Sequence, residues 1–425
     1  MPKILLLALP DNVNQTPYLY DTRLFEFKSR RRLWSTPHLG LLTVGAMLSQ
    51  NFNIDYIDLN YDVLTNFKYD FVFMSPSTSQ AITAYDYANK FKQNNVKVIM
   101  GGPHVSTLPN EALLYANAVF IGEAEDTIKS FIIDVYTNKI KSIYITKQRP
   151  DLKKSPIPMY ELAKKYPYKS IPVQLSRGCP HQCSFCLSSR IYGKYIRRKS
   201  VLQAKKELLY IKKLWDKPFI FFTDDNFLIN ESYNTELLKI LEELKLEWYA
   251  FTDISIYKKS QLLNCLARSG CRKLLIGFES LNDKNLIDLN KSRYKYSKRH
   301  EYEKSVESIQ KHKIGVIGSF VLGLNEDNEK TFDELYKFIL DTCIYGTNIT
   351  ISTPFPGTDF YNKLSEKHTL TSNWADYDGF SLLHELPNIT KNVFAEKYRE
   401  LIQKINSEER ISNVILYFKN LYGVS

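Results

Sequence analysis

The sequence predicts an α/β protein built as two successive parts and a tail. A doubly wound parallel sheet spans residues 1–140, and a proline-rich linker spans 141–170. A partial (βα)6 barrel follows over 171–360, and a small α-rich extension over 361–425. Three observations carry this. Apolar runs of strand length alternate with stretches of helical spacing over the first 135 residues and again from Val173 to Ser352. Such alternation packs as a parallel sheet covered by helices. Pro150, Pro156, Pro158, Pro167 and Pro172 fall between the two series, where no periodicity persists, as a linker requires. Three of the six cysteines crowd into eight positions at the start of the second series.

In the first series, residues 4–9 form a run of the buried type and 39–48 have helical spacing. Residues 54–59, 71–75, 96–100 and 118–121 give four more strands, with helices expected near 81–91, 110–115 and 125–135. The stretch from Pro10 to Pro37 is long for a connection and predicts a lid or binding loop. The second series places strands at 173–175, 219–223, 248–252, 273–278, 316–322 and 348–352. Ser200 and Gln203 form a capping box ahead of Val201, Ala204, Leu208, Ile211 and Trp215, which share one helical face. Gly270 ends a helix over 261–269. The tail is mixed and ends in an amphipathic helix around 394–405.

The first apolar segment lacks a basic flank and a cleavage site, so it reads as a strand and not a signal peptide. No apolar run approaches the roughly 18–20 residues of a membrane span. The expected location is the cytoplasm. A net charge of +11 reads first as solvated lysine-rich helix faces. The clusters Arg30-Arg31-Arg32 and Arg197-Arg198-Lys199 are not interleaved with aromatics in an RNA-binding module, so a nucleic-acid partner is not expected.

Cys179-x-x-x-Cys183-x-x-Cys186 directly follows the first barrel strand. Three thiolates in one short loop can hold three irons of a cubane and leave the fourth open. Structural zinc is the competing reading, but it wants four protein ligands, and His181 inside the loop is poorly placed for closure. Chemistry in βα barrels gathers at the C-terminal ends of strands. Asp224 and Asp225 follow the second strand, Asp253 the third, Glu279 and Ser280 the fourth, Asn325 and Glu326 the fifth, and Pro354-Phe-Pro-Gly357 the sixth. Singly, each is as readily a cap or turn residue. Together, around a cysteine loop, they indicate one site.

A doubly wound sheet binds ligands beyond its strand ends. Three loops there suit a ligand: Ser75-Pro-Ser-Thr78, Gly101-Gly-Pro-His104 and Gly122-Glu123. Glycines let a flat ligand approach the backbone, and hydroxyls can bond it. No G-x-G-x-x-G follows the first strand, so a dinucleotide is not expected.

The motif Arg177-Gly-Cys-Pro-His-Gln-Cys-Ser-Phe-Cys186 resembles the cluster loop of the radical S-adenosylmethionine (SAM) superfamily, and the likeness runs through nearly the whole chain. It implies a four-iron four-sulfur cluster on Cys179, Cys183 and Cys186, with SAM chelating the open iron and yielding a 5′-deoxyadenosyl radical. Phe185 matches the aromatic residue before the last cysteine. Asp224 and Asp225 stand where many members carry a Gly-Gly-Glu that receives the SAM amino group. Glu279 resembles the residue that contacts the SAM ribose or methionine. The run Gly315-Val-Ile-Gly-Ser-Phe-Val-Leu-Gly323 resembles the strand that passes the adenine. Ser75, Thr78, Gly101, Gly102, His104, Gly122 and Glu123 fall in loops whose order resembles the cobalamin-binding domain fused to many such enzymes. Pro37-His-Leu-Gly-Leu-Leu42 and Gly122-Glu-Ala-Glu-Asp-Thr127 fit the same family. Leu9-Pro-Asp-Asn-Val-Asn14 lacks the histidine of an Asp-x-His-x-x-Gly frame, which implies a cobalt without a protein histidine below it. Trp374-Ala-Asp-Tyr-Asp-Gly379 and His384-Glu-Leu-Pro387 are similar to the branch holding the hopanoid methylases; packing serves Trp374 and Tyr377 as well as substrate contact.

The leading expectation is cobalamin-dependent methyl transfer to an unactivated carbon of a small-molecule or lipid substrate. The alternative keeps the radical and ends in cyclisation or rearrangement. A nucleic-acid-binding cofactor sensor has no module to support it. Methylthiolation is disfavoured, because residues 1–178 contain no cysteine. An acidic flavodoxin or ferredoxin is the expected electron donor, on charge complementarity. No side chain is assigned a catalytic role at this level.

Overall fold

The computed structural model describes residues 1–11, 36–290, 292–367 and 370–423. The expected lid over 10–37 and the Arg30–Arg32 cluster therefore lie almost wholly outside the described residues.

Six parallel strands form the first sheet: β1 (Lys3–Ala8), β2 (Asn53–Asp58), β3 (Phe71–Met74), β4 (Lys97–Met100), β5 (Ala118–Ile121) and β6 (Ile143–Ile145), in the order β2-β1-β3-β4-β5-β6. In β1, Ile4, Leu6 and Ala8 enter the core on one face while Leu5 and Leu7 enter that on the other. Burial on both faces is why the sequence shows an unbroken apolar run here instead of alternation. The chain reverses its direction of travel across the sheet between β1 and β3, and ligands of doubly wound sheets sit at that switch.

Strand β6 corrects the expected linker over 141–170. It continues the sheet, with Val119 opposite Ile143 and Ile121 opposite Ile145. Only Tyr144 of its three residues is buried, so this short edge strand has no apolar signature to read.

The second sheet contains β7 (Ile171–Val173), β10 (Phe219–Phe222), β11 (Glu247–Thr252), β12 (Cys271–Glu279), β13 (Gly315–Leu322) and β14 (Gly346–Ile351). All are parallel in sequential order, and β7 pairs only with β10. The barrel is therefore open. Its first strand lies two residues earlier than expected. Pro172 argued against a strand there, but an edge strand tolerates proline because one face of its backbone needs no donor. A two-residue ribbon, β8 (Ser176–Arg177) against β9 (Arg197–Arg198), stands above the sheet.

The helix Val201–Leu214 begins as expected: Ser200 Oγ accepts from Gln203 N at 3.2 Å, and Ser200 N donates to Gln203 Oε1 at 2.9 Å. The helix after β5 starts at Ile128, three residues later than expected. Two long helices end the tail where one was expected. Lys391–Ile405 packs Phe394 edge-on to Phe332 at 5.3 Å. The second, Glu408–Tyr422, sets Val414 and Phe418 against Leu275, Ile317 and Tyr345 and so closes the lower end of the open barrel. Its buried face is a narrow stripe four residues apart, which explains why it was not foreseen. Among the described residues no helix is long and apolar enough to cross a membrane. One apolar core runs without a break from Ile4 and Phe120 through Tyr160 to Ile220 and Ile276, and thus through both parts.

Candidate active site

Because β8 and β9 pair antiparallel, residues 178–196 form a hairpin loop, and all three cysteines lie in it. Backbone contacts shape it: Cys179 N to Gly193 O at 3.1 Å, Cys186 N to Cys183 O at 3.1 Å, and Ser184 N to Leu289 O at 2.9 Å. Asn290 Nδ2 donates to Cys183 Sγ at 3.5 Å. Burial pushes Cys179 up to about 12, and Asp225 and the other two thiols add to this. Burial likewise raises Cys183 to about 11, with Glu279 adding, and raises Cys186. Such thiols ionise only for a strongly positive partner, as metal ligands do. The ring of His181 stacks on Tyr294 at 4.7 Å, with its Nε2 3.8 Å from Asp253 Oδ2. Three half-buried thiols that feel one another, with the loop histidine turned away, fit an iron–sulfur cube better than a zinc ion.

The two expected carboxylates diverge. Asp224 is buried and accepts from Leu175 N at 3.1 Å and from Ser176 Oγ. It braces the exit of the first barrel strand instead of facing the loop. Asp225 accepts from Gly178 N at 3.4 Å and lies in the field of Cys179 and Cys186. Burial lifts Asp224 from 3.8 to about 6, which corresponds to about 3 kcal/mol. A carboxyl raised by folding contributes stability below its unfolded pKa and loses it as pH rises through the folded value. Asp224→Asn, which cannot ionise, should therefore gain on the wild type between about pH 4 and pH 7, as denaturant unfolding at several pH values will read. A pH-independent difference would contradict the bracing role.

Glu279 ends β12 with φ +67°, the left-handed region, beside an irregularity in the pairing with β13. A non-glycine residue held there points to a positional demand. Its carboxylate pairs with Lys295 Nζ at 3.2 Å and faces Cys183 and Cys186. Asp253 is buried beside the loop histidine. Although burial opposes it, nearby His181, 3.8 Å away, and hydrogen bonds from Ser255 and Asn226 keep its carboxyl well below the usual range. Phe185 packs on Leu289, Val321 and Leu324 and borders a cavity of about 110 Å³ that also touches Ser352 and Asn325.

A larger cavity of about 490 Å³ lies beyond the ends of β3, β4 and β5. Ser75, Gly101, Gly102, Gly122 and Glu123 line it, as expected from the sequence. Its floor is apolar (Met47, Phe73, Met100, Phe120, Ile128), which suits a flat macrocycle, and its far wall comes from the barrel side: Pro172, Gln174, Arg177, Tyr192 and Thr223. Gly102 has φ +88°, and a Cβ there would fall inside the shell of Ser75 Oγ. His38 belongs to the wall, although no individual role was expected of it. Its Nδ1 accepts from Leu41 N at 3.2 Å, which caps a helix, so its Nε2 carries the hydrogen and meets Ser75 O at 3.1 Å. Burial keeps its pKa below the ordinary value. Both ring nitrogens are engaged, so this imidazole is not offered to a metal in the cavity. Ser106 and Tyr192 were also unforeseen; an isolated serine or tyrosine carries no sequence signal.

Two expected residues point away. Thr78 is buried in a turn outside the lining. His104 is fully buried behind the glycine pair, with Nε2 3.1 Å from Tyr85 Oη and its ring edge-on to Trp374 at 5.4 Å. Trp374 Nε1 donates to Glu111 Oε1 at 2.7 Å, and Tyr85 Oη donates to the same oxygen at 2.9 Å. The tail thus straps onto the back of the cavity loop, which settles Trp374 as a packing residue. Trp374→Phe should lower unfolding stability by about 1 kcal/mol, the value of one such bond, with iron uptake unchanged. Gly357, φ +86°, lies against this region too: a Cβ there would come within 2.6 Å of Thr107 and 3.5 Å of Leu187.

Comparison with known proteins agrees with this layout. The radical SAM superfamily model matches residues 173–339, and the B12 binding domain model matches residues 34–132. The chain is similar to bacteriochlorophyllide d C-12(1)-methyltransferase of Chlorobaculum tepidum, 30% identical over 380 residues that cover 87% of this chain and 82% of the relative. It is 27% identical to the hopanoid C-2 methylase of Rhodopseudomonas palustris, over 79% of this chain and 65% of that one. In fold it matches the structure of the radical SAM methyltransferase TsrM from Kitasatospora setae with cobalamin and a [4Fe-4S] cluster bound. That match has a TM-score of 0.70 at 14% identity and covers 96% of this chain and 92% of that one. A corrin-type cavity that looks across at a three-cysteine loop, in a chain with these relatives, makes this protein an enzyme of the cobalamin-binding branch of the radical SAM family.

Proposed function

We propose that the enzyme transfers a methyl group to an unactivated carbon of a small-molecule or lipid substrate. The observation that carries this reading is the two-sided cavity: its glycine loops come from the first sheet, while Arg177, Tyr192 and Thr223 come from the barrel. A group held there faces the cysteine hairpin. The named relatives act on bacteriochlorophyllide d and hopanoids, which supports a small-molecule or lipid acceptor.

Cys179, Cys183 and Cys186 would hold the cluster. Asp225 and Glu279 would receive the polar end of SAM, and Phe185 its adenosyl portion. The glycine loops at Gly101, Gly102 and Gly122, with Ser75, would hold the corrin. When bound, these groups would supply an adenosyl radical to remove a hydrogen atom and a methyl donor to replace it, while the protein orients them. Asn226 and Tyr294 steady Asp253, at 2.7 and 2.9 Å, beside the histidine of the cysteine loop. An acidic flavodoxin or ferredoxin suits the +11 charge, and a reducing cytoplasm suits the free thiols.

The test is anaerobic reconstitution with iron, sulfide and hydroxocobalamin, followed by mass spectrometry. Both 5′-deoxyadenosine and S-adenosylhomocysteine are expected. Formation of 5′-deoxyadenosine alone would favour cyclisation or rearrangement, and a reconstituted protein that retains no corrin would overturn the methyl-transfer reading.

A further inference from the structure

The hairpin that carries the cysteines is closed at its neck by a residue from the other part of the chain. In the ribbon β8–β9, Arg177 stands directly opposite Arg197. Like charges so placed repel, so the neck cannot be held by its own side chains. Glu123, from the turn after β5, bridges the two. Its Oε1 accepts from Arg197 Nη2 at 2.7 Å, and its Oε2 accepts from Arg197 Nη1 at 3.1 Å and from Arg177 Nη1 at 2.6 Å. Glu125 Oε1 meets Arg177 Nη1 at 2.7 Å. The Glu123 side chain is 2% exposed, and those of Arg177 and Arg197 are 13% and 18% exposed. Shielded, bidentate contacts of this kind are strong, and removal of one partner is costly.

The turn that carries Glu123 also belongs to the corrin cavity. Gly122, one residue before, lines it and is held by a hydrogen bond from its N–H to Ser106 Oγ at 2.9 Å. Arg177, on the other side of the bridge, both lines the cavity and lies two residues before Cys179. A carboxylate meant for the corrin would keep an oxygen for it; both oxygens of Glu123 are taken by guanidinium groups. The residue expected to touch cofactor therefore joins the two sites.

We propose that Glu123 is a positioning residue that couples the sites energetically: filling the corrin cavity fixes the turn over 122–125, the turn fixes the neck, and the neck fixes the cysteine loop. Such coupling is reciprocal, so the installed cluster must tighten corrin binding by the same factor. The inference rests on the reading that the cavity holds a corrin.

The experiment titrates the full-length, anaerobically purified protein with hydroxocobalamin, followed by absorbance, before and after iron–sulfide reconstitution. In the wild type the installed cluster should raise corrin affinity about tenfold, within the usual range of site-to-site coupling. In Glu123→Gln that rise should shrink to under about twofold while both groups still bind. Arg197→Lys, which keeps the charge but loses the fork, should give the same result and replaces the first variant if that one does not fold. A variant that keeps the full rise, or a wild type that shows none while binding both groups, would overturn the coupling alone. A wild type that binds no hydroxocobalamin would overturn the corrin reading and the coupling with it.

Discussion

Cys183→Ala should purify as a folded protein that takes up hydroxocobalamin supplied in excess, yet holds no iron–sulfur cluster and forms 5′-deoxyadenosine only at background. The loop supplies three sulfur donors and its histidine lies against Asp253 and Tyr294, so removing one leaves two thiolates, too few to hold three irons of a cube. Burial and then Glu279 raise the Cys183 thiol, which accepts from Asn290 Nδ2 at 3.5 Å. Removing it leaves Asn290 its other contact, the carbonyl of His181, so the loop backbone is expected to survive. Iron and acid-labile sulfide analysis, beside the yield of 5′-deoxyadenosine, checks this. A variant that retains a full cluster and cleaves SAM would show that the hairpin is not the cluster site.

The complementary outcome is expected of Gly102→Val: iron kept, corrin lost. Gly102 opens the short helix behind the cavity with φ +88°. A β-branched residue forced into that region costs about 1–3 kcal/mol. The added carbon would also press on Ser75, whose carbonyl receives His38 and whose residue lines the cavity. The strain therefore falls on the loops that should meet the macrocycle and not on the hairpin. Hydroxocobalamin retained after gel filtration, compared with iron content per chain, separates the two sites; equal loss of both would mean a general folding defect.

Much of this architecture was legible in the residues. Strand β1, apolar on both faces, stood out as an unbroken run, and the cysteine spacing marked the hairpin. What escaped notice has physical causes. Strand β6 buries one residue of three, and β7 contains a proline that an edge position tolerates. The last helix presents a stripe too narrow to register as amphipathic. Within the site, Gly101, Gly102 and Gly122, which the sequence placed in loops beyond the strand ends, line the cavity. Side-chain direction was not: Asp224 and His104 lie in the expected loops but turn inward to satisfy buried partners. Direction depends on the neighbours a side chain finds after folding, which a linear pattern does not carry. Glu123 is the intermediate case, correctly placed at the cavity and occupied by arginines from a distant segment.

The unbroken apolar core has a consequence for protein engineering. Two parts that share one interior do not behave as beads on a string, and large apolar interfaces disfavour independent motion. A chimera that grafts the first 140 residues onto a relative's barrel would inherit half of a packed interior, with residues such as Ile4 and Phe120 facing strangers. Exchange of substrate preference between members is better sought by trading the loops at the barrel mouth than by shuffling whole modules.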